Sequence, residues 1–387
     1  MPFSGCARRC IFCDQRLQSG QEERPAAPAL EQAARWIDAA AADARGTDRP
    51  GRGGRRRRAD AGGRAQGRDD EAAVRGPDAE TVPRPAPEIA FYGGTFTALA
   101  DGEFRACLDF VRAQLDLGRI SAARCSTRPD KLDGTRLAAM RAAGISLVEL
   151  GVQSFQDRAL ESAGRGYSGA AALNACAAVK EAGFALGIQL MPGMPGLDAA
   201  GARRDVHLAL SSAPDCARLY PCLVPEGTEL AQMWRAGRYT PWDEETTTEF
   251  LAWALTVFRS AGIPVIRIGV AEEAGSAGRF IAGPRHPALG NRVRALALYN
   301  YVREMLGRLA PDAGRPGAPE YRLGVPAALQ GEFWGHGGEL KERYAALGLT
   351  KAHVCLREEN DFTLGRVAGR QGASSGGSAL NIPELFT

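Results

Sequence analysis

The sequence lacks any long apolar run. No stretch of about 18 or more apolar residues occurs among its 387 residues, so we expect no transmembrane helix and no membrane partner. The first residues also lack the basic leader and the apolar segment of a secretory signal. From these absences we expect a cytoplasmic protein.

The sequence has little excess charge of either sign. Its 48 Lys and Arg against 45 Asp and Glu give a net charge of +3. Ten arginines but only five acidic residues lie within Arg45–Arg75, so the rest of the chain is slightly negative. We therefore expect no DNA binding through bulk positive charge, although this composition still allows a local basic patch on the surface.

Residues 44–83 are rich in Gly, Arg, Asp, Ala and Pro, which predicts a disordered insertion, either a solvated loop or an RNA-contacting arm.

Most of the nine cysteines stand alone, and their odd number argues against a disulfide framework. Three are close together in Cys6-Ala-Arg-Arg-Cys10-Ile-Phe-Cys13. Three thiolates on one loop can bind three irons of a 4Fe-4S cluster and leave the fourth open. A structural zinc ion would need a fourth ligand, and the next Cys or His is Cys107. The spacing favours the cluster over zinc, and Phe12 is either a packing residue or a wall for a planar ring.

Strand-like and helix-like segments alternate from Glu88 to Ile268, among them strands predicted over Glu88–Phe91 and Ala217–Leu223 and a helix over Ala199–Leu210. This pattern predicts an α/β fold around a parallel sheet, open or closed, with ligands at the carboxyl ends of the strands. Further along, strand-like segments at Glu320–Val325 and Ala352–Glu358 flank a helical one. We expect residues 1–270 to form the main domain, residues 271–367 a C-terminal extension with a small α+β domain, and residues 368–387 a flexible tail.

Polar or glycine-rich segments follow several predicted strands. Phe91-Tyr-Gly-Gly-Thr-Phe-Thr97 ends the first of them, and its paired glycines suit either close approach of the backbone to a ligand or a tight turn. Gln153 ends a later strand, and Arg165 follows it in a loop. Taken alone, Gln153 is either a ligand contact or an ordinary polar strand end, and Arg165 is either a ligand contact or a solvated charge.

The cysteine spacing resembles that of the radical S-adenosylmethionine superfamily, and the strand-end motifs follow in the same order. In that family the open iron binds S-adenosylmethionine, and one electron cleaves it to a 5′-deoxyadenosyl radical. The resemblance implies a 4Fe-4S cluster bound by Cys6, Cys10 and Cys13, and an electron donor of flavodoxin or ferredoxin type. It implies a partial (β/α)6 TIM-like barrel, with the cluster loop after the first strand. The implied S-adenosylmethionine contacts are Phe12, Gly93, Gly94, Thr95, Gln153 and Arg165.

The resemblance extends to the radical domain of the Elongator catalytic subunit family. It rests on Phe91–Phe96, Thr127-Arg-Pro-Asp130, Gly151-Val-Gln-Ser154 and Leu219–Thr228. Fewer than ninety residues follow Arg303, so we expect a short bacterial form without the acetyltransferase domain and with most of the first barrel strand missing. The resemblance implies radical modification of a tRNA nucleoside. The alternatives are a small-molecule or tetrapyrrole radical enzyme similar to oxygen-independent coproporphyrinogen III oxidase, and a non-catalytic iron–sulfur protein that binds RNA.

Overall fold

The structure of this protein is a computed structural model. It describes residues 6, 10–13, 26–44, 86–270, 279–315, 320–359, 361–367 and 378–380. The predicted insertion beyond residue 44 and most of the predicted tail lie outside the described residues. No described helix combines the length and apolarity needed to cross a membrane.

A six-stranded parallel sheet forms the centre of the main domain. Its strands, in spatial order, are β1 (Glu88–Phe91), β2 (Ala122–Thr127), β3 (Ile145–Gln153), β4 (Ala185–Leu190), β5 (Cys216–Leu219) and β7 (Val265–Ile268). Each strand pairs in parallel with the next one in the sheet. Parallel neighbours need a crossover connection, which places all the carboxyl ends at one edge. The sheet curls into a half-barrel, and this confirms the predicted fold class.

Helices flank the sheet, and all but the first lie in its crossover connections. They are α1 (Ala26–Ala44), α2 (Asp101–Asp116), α3 (Gly134–Ala143), α4 (Asp157–Ser162), α5 (Gly169–Glu181), α6 (Ala199–Ser211), α7 (Glu229–Arg235) and α8 (Glu244–Ser260). Asp133, Ser168, Asp198, Thr228 and Asp243 precede five of these helices, and each side chain accepts a hydrogen bond from a backbone N–H in the first turn. Because such caps define helix starts, they also fix how much chain is left for the loops at the strand ends.

The main core lies between the sheet and these helices. Leu150, Ile188 and Leu219, from three neighbouring strands, are at most 1% exposed. Helix residues such as Met140 and Phe258 are fully buried against the sheet. Burial of apolar surface on this scale is the main stabilising contribution to such a fold, and it leaves the strand ends free for function.

A smaller α+β unit follows the barrel. Its sheet has the order β10-β9-β11-β12, with β9 and β10 parallel and the other pairs antiparallel. The strands are β9 (Tyr321–Pro326), β10 (Val354–Arg357), β11 (Phe362–Arg366) and β12 (Ser378–Leu380), and the helices are α9 (Leu289–Leu309), α10 (Gln330–Phe333) and α11 (Lys341–Ala346). Helix α9 packs against α8 and so joins this unit to the barrel. The predicted α+β character is confirmed.

Some local predictions differ from the structure. The strand expected over Ala217–Leu223 ends at Leu219, and a separate pair of short antiparallel strands follows, β6 (Val224–Pro225) with β8 (Phe280–Ala282). Residues 378–380 form a strand within the segment expected to be a flexible tail. Among the described residues the cysteine segment precedes every strand of the sheet. Its predicted place after a first barrel strand stays a prediction, because residues 1–5 lie outside the described residues.

Candidate functional site

A cavity of about 370 Å³ opens at the carboxyl ends of the sheet strands. Its walls come largely from the ends of the strands and the turns after them, as expected for a parallel α/β sheet. All nine residues nominated from the sequence line this cavity: Cys6, Cys10, Phe12, Cys13, Gly93, Gly94, Thr95, Gln153 and Arg165. Their individual roles stay predictions, but a single cavity contains them all.

The cysteine segment is held in place by its backbone. The Ile11 N–H donates to the carbonyl of Ala163 at 3.4 Å, and the Leu230 N–H donates to the carbonyl of Ile11 at 3.0 Å. Phe12 is 6% exposed, so it packs in the core and also forms part of the cavity wall. The three thiols are half-buried and free of disulfides.

The three thiols share the cavity without converging on one point. Across the described residues, no group of three or more His, Cys, Asp or Glu side chains lies close enough together to hold a metal ion. The set of donors is nevertheless distinctive. Cys6, Cys10 and Cys13 are the only Cys, His, Asp or Glu residues in the described lining of the cavity. These donors fit a group that takes three thiolates from the protein.

Two guanidinium groups face the sulfur of Cys10. Nη1 of Arg165 lies 3.0 Å from Sγ, and Nη1 of Arg128 lies 3.4 Å from it. Arg165 also donates to the hydroxyl of Tyr167 and to the carbonyl of Gly151. Burial alone lowers the pKa of Arg165, but the neighbouring Tyr167 and Cys10 outweigh burial, so the pKa is raised. Two cations suit a sulfur that is negatively charged when it binds metal. No role for Arg128 was predicted from the sequence.

The Gly-Gly-Thr segment after β1 contacts the cysteine segment. Gly93 has a φ of 95°, in the left-handed region that glycine adopts readily. Thr95 is fully buried, and its Oγ1 lies 3.1 Å from Sγ of Cys6. Gly93 and Gly94 both line the cavity. The segment is therefore a tight turn that also forms part of the cavity wall, and close approach of its backbone to a ligand stays a prediction.

Gln153 combines an unfavourable backbone conformation with an unpartnered amide. Its φ of 68° is left-handed, which costs a residue with a Cβ about 1–2 kcal/mol. The side chain is 8% exposed, and Oε1 has no hydrogen-bond partner within the described part of the chain. A Cβ at Gly151 would lie 3.0 Å from Nε2 of Gln153, so Gly151 provides room for this amide. A buried oxygen without a partner fits a site completed by a ligand.

Asp205, on the outer helix α6, fixes the turn after Gln153. Its carboxylate accepts hydrogen bonds from Ser154 Oγ at 2.6 Å, Phe155 N–H at 2.8 Å and Gln156 Nε2 at 2.9 Å. Burial raises the pKa of Asp205, and these hydrogen bonds oppose that effect only in part. The carboxylate therefore anchors the chain immediately after the strained residue.

A buried ion pair that was not predicted from the sequence adjoins the cavity, and its arginine, Arg218, forms part of the cavity wall. Glu149, in β3, is 1% exposed, and Arg218, in β5, donates to it from Nε at 2.5 Å and from Nη2 at 3.1 Å. The hydroxyl of Tyr92 also donates to Glu149. The pKa of Tyr92 is raised, mainly by burial and in addition by this hydrogen bond. A Cβ at Gly187 would lie 2.7 Å from Cγ of Glu149, so the glycine makes room for the carboxylate. The only sign of this pair in the sequence is Glu149 itself, a single acidic residue in a mostly apolar strand.

Two protein-family models match this chain. Residues 56–209 match the model of the Radical SAM superfamily, and residues 214–297 match the Radical_SAM C-terminal domain. The chain belongs to the radical S-adenosylmethionine superfamily. It is therefore an enzyme of that class, and the family implies a 4Fe-4S cluster and S-adenosylmethionine as cofactors. The three cysteines precede the first matched residue.

Part of the chain is similar to curated proteins of the Elongator type. The chain is 32% identical over 191 residues to a tRNA uridine(34) acetyltransferase of Methanocaldococcus jannaschii, a match that covers 44% of this chain and 35% of that protein. It is 31% identical over 137 residues to Elongator complex protein 3 of Mus musculus, covering 34% and 24% of the two chains. The chain thus spans about a third or less of the length of these curated relatives.

A solved structure is also similar. The archaeal Elp3 of Methanocaldococcus infernus, with an N-terminal deletion, superposes with a TM-score of 0.48 and 23% sequence identity. The match covers 73% of this chain and 66% of the other.

Proposed function

We propose that this protein reductively cleaves S-adenosylmethionine with a 4Fe-4S cluster bound by Cys6, Cys10 and Cys13. The observation that carries the proposal is one cavity lined by three thiols and no other Cys, His, Asp or Glu among its described residues. When bound, the cluster supplies the electron that breaks the sulfur–C5′ bond of S-adenosylmethionine. The protein supplies binding, orientation and a cavity that limits access of water.

The remaining nominated residues bind and orient S-adenosylmethionine in this proposal. Arg165 has a buried guanidinium whose planar fork matches a carboxylate, so it binds the methionyl carboxylate. Gly93 and Gly94 let the backbone come close to the amino group. Oε1 of Gln153 accepts a hydrogen bond from the same ligand, which gives this unpartnered oxygen a partner. Phe12 packs behind the cysteines.

For the substrate we propose a tRNA nucleoside. The support is the similarity to proteins named tRNA uridine(34) acetyltransferase and Elongator complex protein 3. Because the chain spans about a third or less of those proteins, their full reaction is not carried over to it. The radical half of such a modification is the part that the described cavity fits.

The test is anaerobic reconstitution with iron and sulfide, followed by S-adenosylmethionine and dithionite, with and without bulk tRNA. Chromatography measures 5′-deoxyadenosine, and iron content is measured in the same samples. Wild type should form 5′-deoxyadenosine, and Cys10→Ala should lower its yield at least about 100-fold, because a cluster ligand is lost. Cys355→Ala is the matched control, since Cys355 is exposed and lies outside the cavity.

Two results would contradict the proposal. One is a wild-type protein that binds no iron, and the other is a Cys10→Ala variant as active as Cys355→Ala. The substrate is tested separately by adding tRNA or a porphyrinogen to active enzyme. Consumption of the porphyrinogen and not of tRNA would replace the tRNA proposal with a tetrapyrrole reaction.

A further inference from the structure

The cavity has two sides, and the cofactors proposed above account for only one. At the ends of β1, β2 and β3, the cysteine segment contacts Thr95, Arg128 and Arg165. At the ends of β4, β5 and β7 and at the start of β8, the wall is formed by a different set of side chains: Gln189, Met191, Arg218, Tyr220, Arg267 and Phe280. The inference rests on the proposed function in one respect, that the cofactors occupy the first side. The second side is then free for the substrate.

Two arginines lie next to each other on this second side. Arg218 of β5 and Arg267 of β7 are direct partners in the register of the two strands, and neighbouring strands are about 4.8 Å apart. Both side chains line the cavity. Like charges at such neighbouring positions repel each other unless negative groups compensate them.

Within the part of the chain that the structure describes, only Arg218 of the two has an acidic partner. Glu149 forms a bidentate ion pair with Arg218, and it also lies 3.8 Å from Nη1 of Arg124. Its negative charge is therefore already shared between these two arginines. Arg267 has no acidic side chain within ion-pair distance in the described ranges, and its hydrogen bond there is a long one, 3.5 Å from Nε to the carbonyl of Gly269. Among the described residues, the second side therefore carries a half-buried positive charge without a counter-ion.

A half-buried guanidinium beside another cation is unfavourable, because burial removes water that would screen both charges. An oxyanion of a bound molecule would remove this penalty. The planar fork of arginine fits the two oxygens of a carboxylate or phosphate. The arrangement thus favours a ligand that carries an oxyanion on this side.

Aromatic rings complete the same side of the cavity. Tyr220 and Phe280 line this side, and Tyr92, from the turn after β1, adjoins it. The guanidinium of Arg218 lies 5.0 Å from the ring centroid of Tyr92, so the charged and aromatic surfaces adjoin. Aromatic faces of this kind bind planar rings by stacking. We infer that this side of the cavity binds a substrate in which a planar ring carries a phosphate or carboxylate, and that Arg267 binds that oxyanion.

Calorimetric binding to the reconstituted full chain tests the inference with two pairs of probes. Uridine 5′-monophosphate against uridine tests a phosphate, and orotate against uracil tests a carboxylate. In at least one pair the charged member should bind about tenfold more tightly, and the pair that shows the preference identifies the oxyanion. Arg267→Gln should reduce this preference to about twofold or less. Arg238→Gln is the control, because Arg238 is exposed and outside the cavity, and it should keep the full preference.

The inference is overturned if neither charged probe is preferred, including the case in which no probe binds. It is also overturned if Arg267→Gln keeps the preference or if Arg238→Gln loses it equally. The same samples are assayed for 5′-deoxyadenosine, which separates the two proposals. If S-adenosylmethionine is cleaved but neither charged probe is preferred, only this inference is refuted. If the charged probe is preferred through Arg267 but S-adenosylmethionine is not cleaved, only the proposed function is refuted.

Discussion

Removal of the Glu149 carboxylate leaves Arg218 partly buried without its partner. Glu149 is 1% exposed and accepts two hydrogen bonds from Arg218, and Nε2 of Gln189 lies 3.4 Å from it. Breaking a buried ion pair by deleting one member costs about 3–5 kcal/mol. The Arg218 side chain is 14% exposed and can recover some hydration. We therefore expect Glu149→Ala to lower the free energy of unfolding by about 3 kcal/mol.

Urea unfolding followed by circular dichroism measures this value. Glu149→Ala, Arg218→Ala and the double variant form a cycle in which the two single losses should not add. The double variant should be more stable than the sum of the single losses implies, by about 1–2 kcal/mol, because it leaves no unpaired charge. A Glu149→Ala variant within about 1 kcal/mol of wild type, or strict additivity, would refute the assignment of a strong buried pair.

Backbone strain at Gln153 and burial of thiols predict two more outcomes. Gln153→Gly should be more stable than Gln153→Ala by about 1 kcal/mol in urea unfolding, because both lose the amide but only Ala keeps the left-handed penalty; equal stability would contradict the strain. Burial raises the pKa of Cys107, Cys176 and Cys216 to about 11, so at pH 8 they are protonated, and their reactivity should rise only as the pH approaches 11. At pH 8 iodoacetamide should label the exposed Cys355 and spare these three in the native protein, and peptide mass spectrometry showing equal labelling would disprove their burial.

Local signals in the sequence were sufficient for much of the barrel. The strand Glu88–Phe91 was predicted with its observed bounds, because a short apolar run ends directly at a Gly-Gly turn. The helix expected over Ala199–Leu210 begins at the predicted residue, because Asp198 caps its start, and it ends one residue later than predicted, at Ser211. In contrast, α9 (Leu289–Leu309) was not predicted. It contacts α8 and β7 of the barrel as well as α10 of the small unit, so its buried residues are spread around it and the apolar stripe typical of a surface helix is weak.

Only those site residues that residue type and spacing mark in the sequence could be predicted. Cys6, Cys10 and Cys13 were nominated from spacing alone, and the structure places them in the cavity. The two guanidinium groups at Cys10 come from positions 118 and 155 residues further along the chain. The pairing of Glu149 with Arg218 depends on the order of the strands in the sheet. Such contacts are set by tertiary structure and leave no local pattern in the sequence.

The anchored turn at Gln153 has a consequence for ligand affinity. Asp205 holds the three residues after Gln153 through its hydrogen bonds, so the left-handed conformation and the unpartnered amide already exist in the folded chain. A ligand that meets this amide does not have to order the strand end when it binds. Preorganisation of this kind raises affinity by lowering the conformational entropy lost on binding. Through Asp205, a helix on the outside of the barrel thus contributes to the affinity of a cavity that it does not line.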